Sequence, residues 1–506
     1  MVGASMTALI LSQALQKLID SDRSCFIART DYELLALRFI EYHGDVYTES
    51  LPNLPNVPDI DRYLQFRAQH EVEEMLMLHD MTSMSLAGAI GKCMKAIRES
   101  FVDKRDPHKI TYPLDVIVIT ILLAKLCGYN NASEISYFFK RRNLELQLII
   151  PGMPDVKYGL SKSTINNVIA MLTYEEINKL FVDYFSCALI ALDKLIVYNE
   201  EKHKDNRDAT KPTLAFDGQE VRASFKRGVA SRKSKGAIVV TLFNCTDKNP
   251  LDFINVPKKN NEVGAFLKLA SRTNIVGSVV MCDALNTSHL VTDKIVERGA
   301  NYLLPIKSYR GNKFLLAHVK NLFVDHQDIT IKESFSNKDH GRIELYEFEI
   351  LDAKYLNQDV KNPHKNIHTL VKCTKTVKHI RASKVVKTTK DEKYYISSLM
   401  CNENTIKQVM ASISDYWFIE QAHNLYDSSV FNQDRLQACN NNTLSTHVGF
   451  NKIVHNILAF IRQKQTEKLK KKTPIPYKIV QDIIKHSSLV TVFLYIAEYF
   501  ITQVDE

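Results

Sequence analysis

The sequence predicts a protein of mixed α/β fold class, in which a sheet carries helices on both of its faces. Short apolar or β-branched runs begin near residue 213, and each is bounded by polar or turn residues, as buried strands are. Apolar residues recur at helical spacing between these runs, and this alternation of strand and helix is typical of an α/β sheet. The strand-like runs cover 213–216, 237–244, 253–256, 278–282 and 302–306, and the helix-like segments cover 262–272, 289–297 and 313–323.

The segments before and after residues 213–323 differ from this stretch in the spacing of their apolar residues. Residues 328–400 alternate between apolar and polar positions, which predicts an antiparallel, β-rich insertion. Apolar residues at helical spacing dominate before about residue 200 and return after residue 400. We therefore predict six parts: a helical N-terminal extension of no assigned role (1–95), a helical domain (96–205), the first part of an α/β core (206–327), the insertion (328–400), the last part of the core (401–465) and a basic helical C-terminal tail (466–506).

Composition and charge predict a soluble chain that prefers polyanions. Hydrophobic residues make up 45% and charged residues 24% of the 506 residues, which is normal for globular proteins and excludes a wholly disordered chain. The 66 Lys and Arg residues exceed the 57 Asp and Glu residues, and the net charge of +9 favours polyanionic partners. The cysteines include no C-x-x-C pair, and no apolar stretch reaches the ~20 residues of a membrane span. We expect a cytoplasmic, nucleoid-associated protein without membrane contact, and a nuclear one only if the host is eukaryotic.

Two aspartates follow apolar strand-like runs and are candidates for a metal site. Asp217 follows Phe216 and precedes Gly218, and Asp283 follows Cys282. Side chains at the strand ends of an open α/β sheet project into one crevice, where paired carboxylates can bind Mg²⁺. The alternative is structural, because Asp-Gly is a common turn dipeptide and Asp283 could cap the next helix.

These aspartates lie in motifs that resemble those of a known enzyme family. The segment 214–222 (LAFDGQEVR) resembles the first catalytic motif of DDE transposases of bacterial insertion sequences, in particular of the H-repeat-associated subgroup. The segment 279–285 (VVMCDAL) is similar to the second motif. Further segments follow in the family's order: 106–114 and 161–168 resemble its N-terminal associated domain, and 299–307 (GANYLLPIK), 339–344 (DHGRIE), 395–399 (YISSL), 417–420 (WFIE) and 431–434 (FNQD) resemble its later motifs.

The resemblance implies a ribonuclease-H-like mixed sheet with helices on both faces, a β-rich insertion before the last catalytic helix, and helical N-terminal domains. It implies that Asp217, Asp283 and Glu420 are the catalytic residues and that they bind two Mg²⁺ ions, which Mn²⁺ could replace. No organic cofactor is expected. Glu344 is the alternative third carboxylate, although it could instead pair with Arg342 on the surface of the sheet.

Trp417 is the supporting residue that the pattern around Glu420 suggests. The two residues are three positions apart on a predicted helix, so they share a face where the ring can orient the carboxylate. Two alternatives stay open: Trp417 belongs to the core, and Glu420 is a solvated acid on the helix surface.

The resemblance also implies a reaction and its partners. Water attacks the DNA backbone in line and nicks the end of the element, and the freed 3′-hydroxyl then attacks target DNA. The implied partner is double-stranded DNA, both as element ends and as target, with the helical domain 96–205 recognising the ends and at least a homodimer joining two of them. The basic residues expected to contact DNA phosphates are Arg222, Lys226, Arg227, Arg232, Lys233, Lys235, Lys307, Arg310, His340 and Arg342.

Some positions depart from the family's closing motif. Gln421 replaces an Asn, Gln433 replaces a Glu, and 423–425 reads His-Asn-Leu where the family has Leu-His-Trp. These departures leave open a catalytically silent, repurposed transposase that acts as a DNA-binding protein, or a related DDE nuclease that does not join strands.

Overall fold

The structure, a computed structural model, forms two compact units. One comprises the described residues up to 186 and from 426 onward, and the other comprises those between 210 and 425. The predicted extension lies outside the described residues as far as residue 85. The structure describes residues 86–150, 153–154, 159–186, 210–224, 236–256, 262–308, 312–339, 342–357, 362–381, 384–436, 440–471, 473–487, 489, 491–493, 495–496 and 499.

The second unit is built on one nine-stranded sheet. Its strands are β1 (Thr213–Val221), β2 (Ala237–Asn244), β3 (Asn249–Val256), β4 (Val279–Met281), β5 (Asn301–Ile306), β6 (Ile331–Asp339), β7 (Arg342–Asp352), β8 (Thr369–Arg381) and β9 (Lys384–Ser397). Their order in the sheet is β3-β2-β1-β4-β5-β9-β8-β7-β6. Strands β1, β4 and β5 are parallel, whereas β2 is antiparallel to β1 and β3, so the first five strands form the ribonuclease-H-like arrangement that the resemblance implied.

Helices cover both faces of this sheet, as the alternating pattern predicts. Three of them belong with one core cluster, in which Phe216 of β1 stacks on Phe266 with ring centroids 4.1 Å apart. A fourth helix places Ile406 and Val409 against the other face of the sheet. The first three are α6 (Glu262–Arg272), α7 (His289–Glu297) and α8 (Lys313–Asp325), and the fourth is α9 (Glu403–Asn424).

The predicted β-rich insertion extends the core sheet. Strands β6 to β9 are antiparallel to one another, and β9 also pairs with β5 along Leu303–Ile306. The insertion therefore continues the nine-stranded sheet and returns the chain to its centre, directly before α9 begins.

The first unit is helical. Its second helix is buried along its whole length because nearly every residue in it is apolar, and its buried Lys125 donates from Nζ to Oδ1 of Asn451 at 2.8 Å. The segment 401–465 divides between the two units, since α9 lies in the second unit and α10 in the first. Within the described residues no helix has both the length and the apolar character of a membrane span. The helices of the first unit are α1 (Leu86–Ser100), α2 (Leu114–Leu126), α3 (Ala132–Ile149), α4 (Lys162–Met171), α5 (Tyr174–Leu180), α10 (Asn441–Lys468) and α11 (Tyr477–His486).

Candidate active site

Strands β1 and β4 bring the two aspartates to equivalent positions. Their parallel pairing ends at the pair Ala215 and Met281, and Asp217 and Asp283 each lie two residues beyond it. The expectation that the strand ends at Asp217 is wrong, because β1 continues to Val221. Beyond Ala215 it loses β4 as a neighbour but keeps its antiparallel hydrogen bonds with β2, so the aspartate lies where the sheet splits.

Helix α9 turns a third acidic residue toward the same place. Tyr416, Glu420 and His423 lie at positions i, i+4 and i+7, so they share one face of the helix. Nδ1 of His423 is 3.6 Å from Oδ2 of Asp217. Nε2 of Gln219 on β1 donates to the backbone oxygen of His423 at 3.0 Å, which ties the end of α9 to the strand.

The electrostatics of Asp217 show that four carboxylates gather here. Burial, together with the negative charges of Asp283, Glu262 and Glu420, raises the pKa of Asp217 to about 7. The backbone N–H of Gly218, which donates to Oδ1 of Asp217 at 2.8 Å, opposes this shift. Like charges in a half-buried site repel one another, so the arrangement favours any cation that enters it.

The donor set fits Mg²⁺, although the described side chains do not enclose an ion by themselves. In the described part of the chain, no three Asp, Glu, His or Cys side chains converge closely enough to hold a metal ion. Mg²⁺ commonly takes only one or two carboxylates and fills its remaining positions with water and substrate phosphates. Asp217, Asp283 and Glu420 offer the hard oxygen ligands that this ion prefers, and their mutual repulsion is what a divalent cation would offset.

Glu344, the alternative third carboxylate, has other partners. Its oxygens are 3.1 Å from Nε of Arg342 and 3.0 Å from Nζ of Lys375, and the hydroxyl of Tyr346 donates to it. These partners outweigh its partial burial and lower its pKa. Glu344 therefore forms the surface pairing on the inserted sheet that the sequence left open.

Trp417 is 58% exposed, so the interpretation of this residue as part of the core is wrong. It lies on α9 three residues before the exposed Glu420, and its ring is available to a partner from solution. Whether it orients Glu420 stays a prediction.

The basic residues expected to contact DNA fall into two groups. Arg222 and Lys307 are described and exposed, and Arg342 is exposed but paired with Glu344. The others, which lie outside the described residues, are Lys226, Arg227, Arg232, Lys233, Lys235, Arg310 and His340.

Sequence reasoning did not single out two residues of this site. Glu262, the first residue of α6, is a fourth carboxylate beside Asp217. Tyr416 lies next to the carboxylates, and burial together with Asp217 raises its pKa well above the usual range, so its hydroxyl stays a proton donor. The helical spacing of Tyr416, Glu420 and His423 could have indicated the tyrosine, but nothing local marks Glu262.

Two residues that depart from the family's closing motif differ in burial. Gln421 is exposed on α9. Gln433 is buried, and its Oε1 accepts a hydrogen bond from Nδ2 of Asn451 at 3.1 Å, so the glutamine has a packing role within the first unit.

The chain is similar to one described family and to several known proteins. Residues 99–185 match the family described as DDE_Tnp_1-associated, and this range contains both segments that resemble the N-terminal associated domain.

The chain is 24% identical to "Putative transposase YncI" of Escherichia coli O157:H7 over 366 residues, which cover 70% of this chain and 84% of that protein. It is 25% identical to "Putative transposase YncI" of E. coli strain K12, over 48% of this chain and 89% of that protein. It is also 26% identical to "Uncharacterized protein in dhlA 3'region" of Xanthobacter autotrophicus, over 47% of this chain and 72% of that protein.

Among solved structures, the chain is similar to the piggyBac transposase in a synaptic complex with hairpin DNA. The identity is 12%, the TM-score is 0.31, and the match covers 80% of this chain and 78% of that chain. A likeness this weak carries no argument about activity.

The fold and the site define a mixed α/β protein with a ribonuclease-H-like sheet and a carboxylate cluster where the sheet splits. The match to the associated domain and the relatives named as putative transposases make this chain similar to DDE-type bacterial transposases.

Proposed function

We propose that this protein is a transposase that binds the ends of an insertion element and performs metal-dependent DNA strand cleavage and strand transfer. The observation that carries the proposal is the gathering of Asp217, Asp283 and Glu420, which come from three separate elements of the chain. Like charges held together in a partly buried site are costly for the fold, so their presence favours a functional role.

In this proposal Asp217, Asp283 and Glu420 hold two Mg²⁺ ions, and Mn²⁺ can replace them. Bound Mg²⁺ would stabilise charge on the attacking and leaving oxygens of an in-line displacement at phosphorus. Nδ1 of His423 lies 3.6 Å from Oδ2 of Asp217, and this contact helps to fix the orientation of the aspartate. Tyr416 keeps its proton beside the carboxylates and can donate to a phosphate oxygen.

The substrate of the proposed reaction is double-stranded DNA. Water nicks the end of the element, and the released 3′-hydroxyl attacks target DNA, so no covalent bond between protein and DNA forms. The helical domain that matches the associated family reads the element ends, and two ends require at least a homodimer.

Strands β8 and β9 of the insertion offer basic residues to the DNA backbone on both faces of the sheet. Between positions 372 and 393 a Lys or Arg occurs at every third residue, and the same stretch contains only two acidic residues, Asp391 and Glu392. Lys378, Lys387 and Lys393 are exposed, and none of them forms an ion pair with a described residue. Because Arg342 is paired with Glu344, these lysines are better placed than Arg342 to neutralise phosphates.

The proposal is tested by cleavage and strand joining on DNA that carries the sequences flanking the gene, in the presence of Mg²⁺. The variants are Asp217→Asn, Asp283→Asn and Glu420→Gln, with Glu344→Gln as the matched control because this glutamate is paired on the inserted sheet. We expect the first three variants to lose both reactions and the control to keep them.

Other outcomes of this assay would select a different function. Loss of activity in Glu344→Gln together with activity in Glu420→Gln would reassign the third ligand. Cleavage without joining would indicate a related DDE nuclease. Tight DNA binding by the wild type without cleavage, in Mg²⁺ or Mn²⁺, would indicate the repurposed DNA-binding protein.

A further inference from the structure

Glu262 is a buried carboxylate that the proposed triad does not include. It is the first residue of α6 and is 7% exposed. A glutamate in this position would ordinarily face water or a basic partner, but no described residue forms an ion pair with it. A buried carboxylate without a counter-charge is costly, and burial of this kind calls for a ligand or a partner.

One carboxylate oxygen of Glu262 is fixed by a residue that also holds Asp283. Nδ2 of Asn286 donates to Oε2 of Glu262 at 2.8 Å, and the backbone N–H of Asn286 donates to Oδ1 of Asp283 at 2.9 Å. Asn286 is itself buried. One asparagine therefore sets the distance and the orientation between two carboxylates on different elements.

The other oxygen of Glu262 lies against Gly218, in the middle of β1. A Cβ atom added to Gly218 would lie 2.5 Å from Oε1, so the carboxylate occupies the space that a side chain at position 218 would need. Oε1 accepts no hydrogen bond from a described residue, and Asp217 directly precedes Gly218 on β1. The charge of Glu262 acts on Asp217 more strongly than that of Glu420 does.

We infer that Glu262 is a fourth carboxylate of the metal site, which offers Oε1 to a divalent cation shared with Asp217 while Asn286 holds Oε2. This inference rests on the proposed function and adds a ligand to it. It also explains why position 218 is a glycine, since any larger residue would displace the carboxylate.

The inference is tested by Mn²⁺ binding to the full, metal-depleted chain, followed by calorimetric titration or by electron paramagnetic resonance of free Mn²⁺. Glu262→Gln keeps the shape and an oxygen that accepts from Asn286 but removes the charge. We expect its Mn²⁺ affinity to fall by roughly tenfold or more, because even residues that only orient metal ligands typically contribute about 10–100-fold to metal affinity. The matched control is Glu297→Gln, a change in an exposed glutamate of α7 that should leave the affinity unchanged.

A second variant tests the same role without altering the glutamate. Gly218→Ala forces the carboxylate of Glu262 away from β1, so we expect it to weaken Mn²⁺ binding as Glu262→Gln does. Gly264→Ala, on the exposed side of α6 where an added Cβ meets nothing within 4 Å, is the control for this change.

The reference variant Asp217→Asn separates the inference from the proposed function. If Asp217→Asn loses Mn²⁺ binding while Glu262→Gln and Gly218→Ala keep it, Glu262 is not a ligand and the proposed function stands. If wild type binds Mn²⁺ no better than Asp217→Asn, both are overturned. Normal Mn²⁺ binding with lost cleavage in Glu262→Gln would also overturn the ligand role, since the glutamate would then only position its neighbours.

Discussion

Two regions of the nine-stranded sheet carry opposite charge in opposite surroundings. Around β1 and β4, Asp217 is only 25% exposed, and Asp283, Glu262 and Glu420 act on it. On β8 and β9, Lys378 and its neighbours face water. Salt screens partly buried charges much less than exposed ones, so like charges in the acidic region change one another's pKa. Exposed charges more than about 10 Å apart are largely screened at ordinary salt concentration.

This difference separates two kinds of recognition. In our proposal the acidic region binds a small divalent cation, and this binding determines the rate of the reaction. The basic region can attract any polyanion along its length, and such binding determines affinity and its dependence on salt. Variants of each region test whether the acidic region determines the reaction rate and the basic region determines DNA affinity.

The largest effect is expected from Asp283→Asn in the acidic region. The cleavage rate at saturating DNA should fall on the order of 10²–10³-fold, because the variant removes fixed charge from the reacting centre. Its DNA affinity in the absence of metal should stay close to that of wild type. Single-turnover cleavage together with a binding titration measures both quantities, and an equal loss in affinity would break the division between the regions.

The second effect concerns the basic region. Replacing Lys378, Lys387 and Lys393 with Gln should lower DNA affinity and reduce the slope of log affinity against log salt by about 0.9 per lost phosphate contact. The cleavage rate at saturating DNA should not change. The control is Lys268→Gln, which removes an exposed lysine of α6, outside β8 and β9. An unchanged slope in the triple variant would remove β8 and β9 from the DNA interface.

The third prediction concerns stability and pH in the acidic region. The pKa of Asp217 is raised from 3.8 to about 7 in the folded protein, so the folded state holds this proton more tightly than the unfolded state does. Stability is therefore lost as pH rises from about 4 through about 7. Without metal, Asp217→Asn should be more stable than wild type by about 1–2 kcal/mol above pH 7, and this gain should vanish near pH 4. Denaturant unfolding with chelator measures it, with Asp325→Asn on the surface as the control.

A gain that is independent of pH in Asp217→Asn would contradict the raised pKa of Asp217 as the cause. It would mean that the asparagine stabilises the fold by packing or hydrogen bonding and that repulsion among the carboxylates is small.

The smallest effect is expected from Gly264→Ala on α6. Its exposed site is open, and alanine favours a helix over glycine by up to about 1 kcal/mol, so stability should rise by about this amount. Cleavage should be unchanged because the other side of α6 carries Glu262. Thermal unfolding and cleavage rates measured on the same preparation check both statements, and a loss of activity would show that the helix as a whole responds to the change.

Much of the fold could be predicted from local pattern. The predicted limits of β2, α6 and α7 agree with the structure because turn or polar residues bound each apolar stretch. The pairing of β9 with β5 could not be predicted, since it joins segments about ninety residues apart and leaves no periodic signal in either.

Some residues of the candidate site could likewise be predicted from the sequence, and others could not. Asp217, Asp283 and Glu420 lie in motifs with a recognisable order, so their gathering could be expected from the sequence. Glu262 could not, because its place depends on the angle at which α6 meets β1 and on the missing side chain at Gly218. The exposure of Trp417 was equally hidden, since an apolar ring at helical spacing is usually buried.

The most direct test of the central claim is the melting temperature of the full chain at about pH 8, with Mg²⁺ and with chelator. A ligand that binds only the folded state stabilises it, and the repulsion among the carboxylates should make this gain easy to measure. We predict that Mg²⁺ raises the melting temperature of wild type and leaves that of the double variant Asp217→Asn, Asp283→Asn unchanged. An equal rise in both proteins, or none in wild type, would contradict the claim that these carboxylates form a metal site.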